Sequence, residues 1–234
     1  MLILGIETSA VSVGAALLSD GKVLSETYLN VGLTHSETLM EVVSACLHNA
    51  DKTVADVDAF AVSRGPGSFT GIRIGVSAVK GLCFGTGKPV YGVSTLEAMA
   101  YGAALEDYLV CPVMDARCMQ VYSALFRYQN GELVRLLEDK PRKLEELAAD
   151  LSRFSGKALF IGDGAKLAAK YFIDKTDLRF EIFPEIFQYQ RACGVAFAAN
   201  IRYNKGDKGE DAKDLTPSYL RLSQAEREKQ RRES

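Results

Sequence analysis

The sequence predicts an α/β protein of two lobes, each a mixed sheet flanked by helices. Three observations carry that reading. A strand, turn, strand and hairpin pattern occurs twice, and each copy runs on into strands alternating with helical patterns. The chain is also large and apolar enough to cover two sheets: its 234 residues are 47% apolar and 25% charged, and should bury roughly 70% of the unfolded chain's surface.

The first segment, LILGIETSAVSVGAALLSDGKVLSETYL, reads as a strand at residues 2–6, an alternating strand at 11–18, a hairpin turn at Asp20-Gly21 and a strand to about Leu29. Residues 109–138 repeat it. An apolar strand ends in Asp115 where the first ended in Glu7, a strand follows at 119–128, and Asn130-Gly131 makes the second hairpin turn. Glu7 to Gly21 is fourteen residues and Asp115 to Gly131 sixteen, which puts the two acids at equivalent places in the repeat. Further strands are expected at 57–63, 90–93 and 158–161. The lobes divide near residue 105, as 1–105 and 106–234, with the last helix able to pack back on the first lobe.

VGLTHSETLMEVVSACLHNAD is the first clear helix. Thr34 and Glu37 stand in capping-box spacing, and at about 100° per residue Leu39, Val42, Val43, Cys46, Leu47 and Ala50 share one face. Met40 and Leu47 lie at its edge, making the face wider than one core contact needs. The next helix opens within RGPGSFTGIRIG, near Ser68. From there Gly71, Gly75, Ala78, Gly81 and Gly85 fall within about 120° of one another. Each helical glycine costs up to about 1 kcal/mol relative to alanine, so the flat side points to close approach of a neighbouring helix, another subunit or a ligand. Later helices are expected at 144–151 and 164–172, and an amphipathic one at 189–203 before a flexible charged loop, NKGDKGED. The tail QAEREKQRRES reads as a solvated helix end or disorder.

Several function classes lose support. No apolar run approaches the roughly 20 residues of a bilayer span, and MLILGIETS lacks the features of a secretory signal, so a cytoplasmic protein is expected. Five cysteines without a C-x-x-C pair read as reduced, mostly buried thiols. His35 and His48, the two histidines, lie about 20 Å apart along one helix and cannot share a metal. No H-E-x-x-H, G-x-S-x-G or Cys/His pairing is present for hydrolysis. A net charge of −2 gives no global basic field, and Arg64, Arg73 and Lys80 read as ordinary solvated charge.

Nucleotide chemistry has two candidate places. GPGSFTG lacks the lysine-serine ending of a P-loop and the spacing of a dinucleotide fold, so packing is favoured over phosphate cradling. IGDGAK, residues 161–166, either admits a nucleotide or makes a tight strand-to-helix joint. Glu7 and Asp115 would share a cleft between the lobes, where paired acids can hold Mg²⁺ or act as bases. Alternatively each caps its own turn, through the amides of Thr8 and Ser9 or of Ala116 and Arg117. Glu7, Thr8, Asp115, Gly162 and Gly164 are thus the candidates for a vestigial nucleotide cleft.

LGIETS, HSETLM, SRGPGSFTGIRIG, AVKGLCFGTGKPVYGVSTLEAMA, MDAR and LTPSYLR occur in order, and over nearly the whole chain resemble the TsaB family, formerly YeaZ. The resemblance implies the duplicated actin-like or sugar-kinase-like ATPase fold. It also implies a role in threonylcarbamoyl transfer to the adenosine beside the anticodon of tRNAs that read codons beginning with A. The catalytic paralogue, TsaD, carries a His-Met-Glu-Gly-His metal motif after the strand corresponding to residues 90–93. Here that place reads Ser94-Thr95-Leu96-Glu97-Ala98, which implies no catalytic residues, no catalytic metal and an accessory pseudo-enzyme that dimerises with a TsaD-type subunit. A TsaE-type ATPase, a homodimer of the free chain, tRNA reached through the complex and no membrane complete the implied partners. No cofactor is implied beyond weak ATP or ADP binding in the complex. The competing reading is a competent ATP-dependent enzyme of the same superfamily, using Glu7, Asp115 and IGDGA. In the family the first two helices form the pairing surface, which assigns Leu39, Met40, Val43, Leu47, Gly71, Gly75, Ala78 and Leu82 to the interface. On that assignment Gly75→Arg abolishes pairing and leaves the monomer folded.

Overall fold

Strand β1 (Leu2–Glu7) is buried along almost its whole length, so it belongs in the middle of a sheet covered on both sides. In the computed structural model, which describes residues 1–221, it pairs antiparallel with β2 (Val13–Ser19) and parallel with β4 (Ala59–Gly65). The tail QAEREKQRRES lies outside the described residues. With β3 (Lys22–Leu29) and β5 (Val90–Ser94) the first sheet runs β3-β2-β1-β4-β5. The second is built from β6 (Tyr108–Asp115), β7 (Gln120–Gln129), β8 (Glu132–Lys143), β9 (Lys157–Ile161) and β10 (Phe180–Ile182), in the order β10-β9-β6-β7-β8. Reading β6 to β10 as copies of β1 to β5 reproduces both order and directions. The repeat is therefore a whole duplicated lobe, and the fold is the duplicated actin-like one. Both hairpins turn on a pair of residues with positive φ, Asp20-Gly21 and Asn130-Gly131, the backbone that suits the strand twist.

Among the described residues six helices cover the sheets: α1 (His35–His48), α2 (Phe69–Cys83), α3 (Thr95–Gly102), α4 (Leu144–Leu151), α5 (Ala165–Lys175) and α6 (Ala192–Asn204). Leu39, Val43 and Cys46 of α1 and Ile72, Val76 and Val79 of α2 pack on Leu4, Ile6, Phe60 and Val62, the outer face of the first sheet. Leu144, Leu147 and Phe172 of α4 and α5 do the same for the second, against Cys111, Leu125 and Phe160. The inner faces are covered crosswise. Helix α3 follows the first sheet but sets Leu96, Met99 and Ala100 against Val110, Met114 and Phe126 of the second. Helix α6 follows the second sheet but sets Val195, Ala196 and Ala199 against Ile3, Ala61 and Val93 of the first. Each lobe thus completes the other's core.

Three local expectations are corrected. Helix α6 is not amphipathic: Ala192, Gly194, Val195, Ala196, Ala198, Ala199 and Asn200 are all buried, because small residues let it lie between the first sheet and α3. Gly5 and Gly194 permit this approach, since a Cβ on Gly5 would stand 2.8 Å from that of Ala196, and one on Gly194 would overlap the Ala98 carbonyl. Thr34 does precede α1, yet its side chain makes no cap; the Glu37 amide instead donates to the Thr34 carbonyl at 3.1 Å. The charged loop NKGDKGED is tied down, with Val90 and Glu210 exchanging backbone hydrogen bonds at 2.9 and 2.8 Å and Arg202 paired to Asp207 at 2.8 Å. Leu215, beyond it, is fully buried in the first lobe's outer core.

Candidate functional site

The turn between β1 and β2 is seated under the start of α2. The Thr8 hydroxyl donates to the Gly71 carbonyl at 2.8 Å, and the Ser68 amide donates to the Ser9 carbonyl at 2.6 Å. Ser68 caps the helix, its hydroxyl accepting the Gly71 amide at 3.2 Å. A Cβ on Gly67 would overlap the Ser9 carbonyl, one on Gly71 the Thr8 carbonyl, and one on Gly75 the Thr8 hydroxyl. The glycines of RGPGSFTGIRIG therefore make room for other parts of this same chain, and the stretch is a packed helix entrance and not a phosphate cradle.

That geometry corrects the interface assignment. Gly71 and Gly75 face Thr8, and Leu39, Val43 and Leu47 are buried in the core of the first lobe. Of the assigned residues, Met40 is 50% exposed and Ala78 and Leu82 are half-buried. Gly81 looks onto open space, while Gly85 lies past the end of α2. Met40 and Leu82 flank a shallow groove of about 310 Å³ whose walls include the edges of Val43 and Leu47. Phe84, just beyond α2, is 89% exposed.

Between the lobes lies a cleft of about 730 Å³, bounded by residues 9–11, 66–70 and 114–117, with Asp163 and residues 218–221. Asp115 lines it, but Glu7 is only 1% exposed and does not. Strand alternation gives the reason. Glu7 shares the face of Ile3 and Gly5, toward α6, whereas Asp115 shares that of Cys111 and Val113, toward α4 and α5. The expected pair of cleft acids is thus corrected. Each acid caps its own turn: the Ser9 amide donates to Glu7 at 2.5 Å and the Arg117 amide to Asp115 at 2.7 Å.

Thr8 is likewise withdrawn beneath α2. A Cβ on Gly162 would overlap the Val113 carbonyl, and the Gly164 amide donates to that same carbonyl at 3.0 Å. IGDGAK is accordingly a tight joint onto β6. Its Asp163 accepts the Asp115 amide at 3.2 Å; the side chain keeps an exposed edge, yet the protein packed around its carboxyl, with the Asp115 charge nearby, raises that carboxyl above the ordinary range. Asp163, Tyr219 and Arg221 are cleft residues that the sequence reading did not single out, although IGDGAK and LTPSYLR contain them.

Burial raises the Glu7 carboxyl above its ordinary value near 4.5, against the lowering effect of the Ser9 amide. Glu7 Oε2, Ser9 Oγ and Ser63 Oγ are buried without hydrogen-bond partners among the described residues. Among those residues no cluster of three or more His, Cys, Asp or Glu is arranged to hold a metal, and no helix is long and apolar enough to cross a membrane. His35 instead donates from Nε2 to the Ala10 carbonyl at 2.7 Å. Cys46, Cys83 and Cys111 are buried, Cys193 is half-buried and Cys118 is exposed. After β5, the Ser94 hydroxyl bonds Asp139 at 2.5 Å and caps α3 by accepting the Glu97 amide at 3.1 Å. Glu97 is paired with Arg135 at 3.3 Å, and Thr95, Leu96 and Ala98 are buried.

Residues 30–229 match the family model described as TsaD, tRNA N6-adenosine threonylcarbamoyltransferase. The chain is 33% identical over 226 residues to the tRNA threonylcarbamoyladenosine biosynthesis protein TsaB of Bacillus subtilis, covering 97% of this chain and 96% of that one. It is 34% identical over 167 residues to the protein of the same name from Escherichia coli, covering 70% and 72%. The solved structure of YeaZ from Pseudomonas aeruginosa superposes with a TM-score of 0.76 at 26% identity, over 94% of this chain and 99% of that chain.

Two outcomes follow from the geometry. Gly75→Arg should prevent folding, because its side chain has nowhere to go but through Thr8, whereas Gly81→Ala should add up to about 1 kcal/mol in urea denaturation; a well-folded Gly75→Arg would contradict the packing described. For Glu7, a raised folded pKa means that stability is lost as pH rises from 4.5 through the folded value. Glu7→Gln keeps an acceptor for Ser9 and carries no charge. Its melting temperature should match the parent's below about pH 4.5 and exceed it by a few degrees at pH 7.5, where about 1 kcal/mol shifts a domain of this size by 2–4 °C. A gap independent of pH would show that Glu7 is not held against ionisation.

Proposed function

The chain belongs to the TsaB (YeaZ) family, within the wider TsaD family, and from that premise we propose that it is an accessory, non-catalytic subunit in the biosynthesis of threonylcarbamoyladenosine in tRNA. It acts by pairing with a TsaD-type catalytic subunit, in a system that includes a TsaE-type ATPase, and tRNA is reached through that complex. The free chain self-associates through the same surface.

The observation that carries the non-catalytic reading is the segment after β5. Where the resemblance sets the His-Met-Glu-Gly-His motif of the catalytic family, this chain has a helix start whose side chains are already committed. Ser94 is the cap, Thr95, Leu96 and Ala98 are buried, and Glu97 is held by Arg135. No imidazole stands there. The withdrawal of Glu7 from the cleft argues in the same direction against the competing ATP-dependent enzyme. The chain is accordingly assigned no resident cofactor, with ATP or ADP binding confined to the assembled complex.

The pairing surface is the outward side of α1 and α2, centred on Met40, Ala78 and Leu82 and the groove between them. An exposed methionine and a half-buried leucine beside small residues supply apolar area and close approach together. Met40→Glu and Leu82→Glu should each weaken co-elution with a TsaD-type subunit at least tenfold; Met40→Glu, at a half-exposed position, should leave the melting temperature of the free chain unchanged within about 2 °C, whereas Leu82→Glu, at a side chain that also packs on the edge of the first lobe's outer core, should lower it. Undiminished pairing by the double variant would move the interface elsewhere.

A further inference from the structure

The segment after Leu215 runs across the mouth of the interlobe cleft. The Ser218 amide donates to the Arg64 carbonyl at 2.7 Å, and Gly65 is pressed so close to the Ser218 carbonyl that no Cβ would fit. Arg221 then reaches the second lobe, donating from Nη1 to the Ala116 carbonyl at 2.8 Å. Between these anchors Tyr219 is stacked on Phe69, with ring centroids 4.4 Å apart and planes at 23°. The Arg73 guanidinium lies 4.9 Å from the Phe69 centroid. Tyr219 is nevertheless 43% exposed and lines the cleft.

A part-exposed aromatic ring lining a cleft beside Arg117 and Arg221, with Arg73 against the ring it stacks on, is the arrangement that receives an unstacked base and its flanking phosphates. Arg73 and Arg117 have no carboxylate partner among the described residues, so their charge is available. The lining also carries the opposite sign: Asp115 and Asp163, both solvent-exposed, repel phosphate but accept hydrogen bonds from a base's exocyclic amino group. Phosphates therefore belong beside the arginines and the base beside the two carboxylates.

We propose that the mouth of this cleft binds single-stranded RNA, seating one unstacked base against Tyr219 and its neighbouring phosphates on Arg73, Arg117 and Arg221. The inference rests on the reading that the chain works in tRNA modification, and makes this subunit a direct contact to the RNA. A free nucleotide offers the same base and phosphates, and the experiment separates the two sources.

The test is a fluorescence-anisotropy titration of labelled oligoadenylate with the full chain at several salt concentrations, with magnesium ATP and an RNA duplex as competitors. Saturable binding is expected, weakened at least about fivefold by Tyr219→Ala and retained by Tyr219→Phe. Arg73→Ala, on the exposed side of α2, should lower the salt slope by about 0.7, the loss of one phosphate contact. Absence of binding overturns the proposal. So do binding indifferent to both Tyr219→Ala and Arg73→Ala, competition by duplex equal to that by single strand, or displacement by ATP at concentrations matching the RNA's own affinity. The co-elution experiment involves no RNA: pairing without RNA binding would remove this inference alone, and RNA binding without pairing would remove the accessory-subunit reading.

Discussion

The rest of the site depends on how closely α2 approaches the β1–β2 turn. Gly67, Gly71 and Gly75 each omit a side chain where Ser9 or Thr8 lies, and Thr8 returns a hydrogen bond to the Gly71 carbonyl. This contact fixes the turn beneath the helix and keeps Glu7 on the inner face, away from the cleft. It also determines what α2 can offer outward. The flat side of the helix is used within the lobe, and only Ala78, Gly81 and Leu82 of the small and apolar positions on that side keep part of their surface open to solvent.

The crosswise packing of α3 and α6 gives the two lobes a shared interior. Each sheet has its own pair of outer helices, but each inner face is closed by a helix that follows the other sheet. The cleft therefore opens on a rim held from both sides, by the packed turn on one lobe and by Arg221 reaching Ala116 on the other. In a catalytic relative of this fold such a cleft would place chemistry between the lobes. Here one candidate acid is buried and the other caps its own turn, so the two acids do not meet in the cleft.

Much of the fold was legible in the sequence because its signals are local. Asp20-Gly21 and Asn130-Gly131 declare hairpins by their turn chemistry, and the alternation around them declares strands, so the duplication could be read directly. What could not be read was side-chain phase between the copies. Glu7 follows Ile3 and Gly5 in the alternation of β1, whereas Asp115 follows Cys111 and Val113 in that of β6, and this one-residue difference in phase puts the two acids on opposite faces. The glycine stripe of α2 was legible as a demand for close approach, but a helical wheel does not say whose backbone approaches. Helix α6 misled for a related reason: its alanines fit a surface helix equally well until the crosswise packing buries them. Tyr219 and Phe69 lie far apart in sequence, and nothing in either stretch announces their stack.

An accessory subunit of the kind proposed is required for the modification without performing it. The direct measurement is formation of threonylcarbamoyladenosine from a TsaD-type subunit, a TsaE-type ATPase, threonylcarbamoyl-adenylate and unmodified tRNA, with and without this chain. The account predicts product only when the chain joins the catalytic subunit, and none from the chain alone. Product made by the chain without a TsaD-type subunit would contradict it.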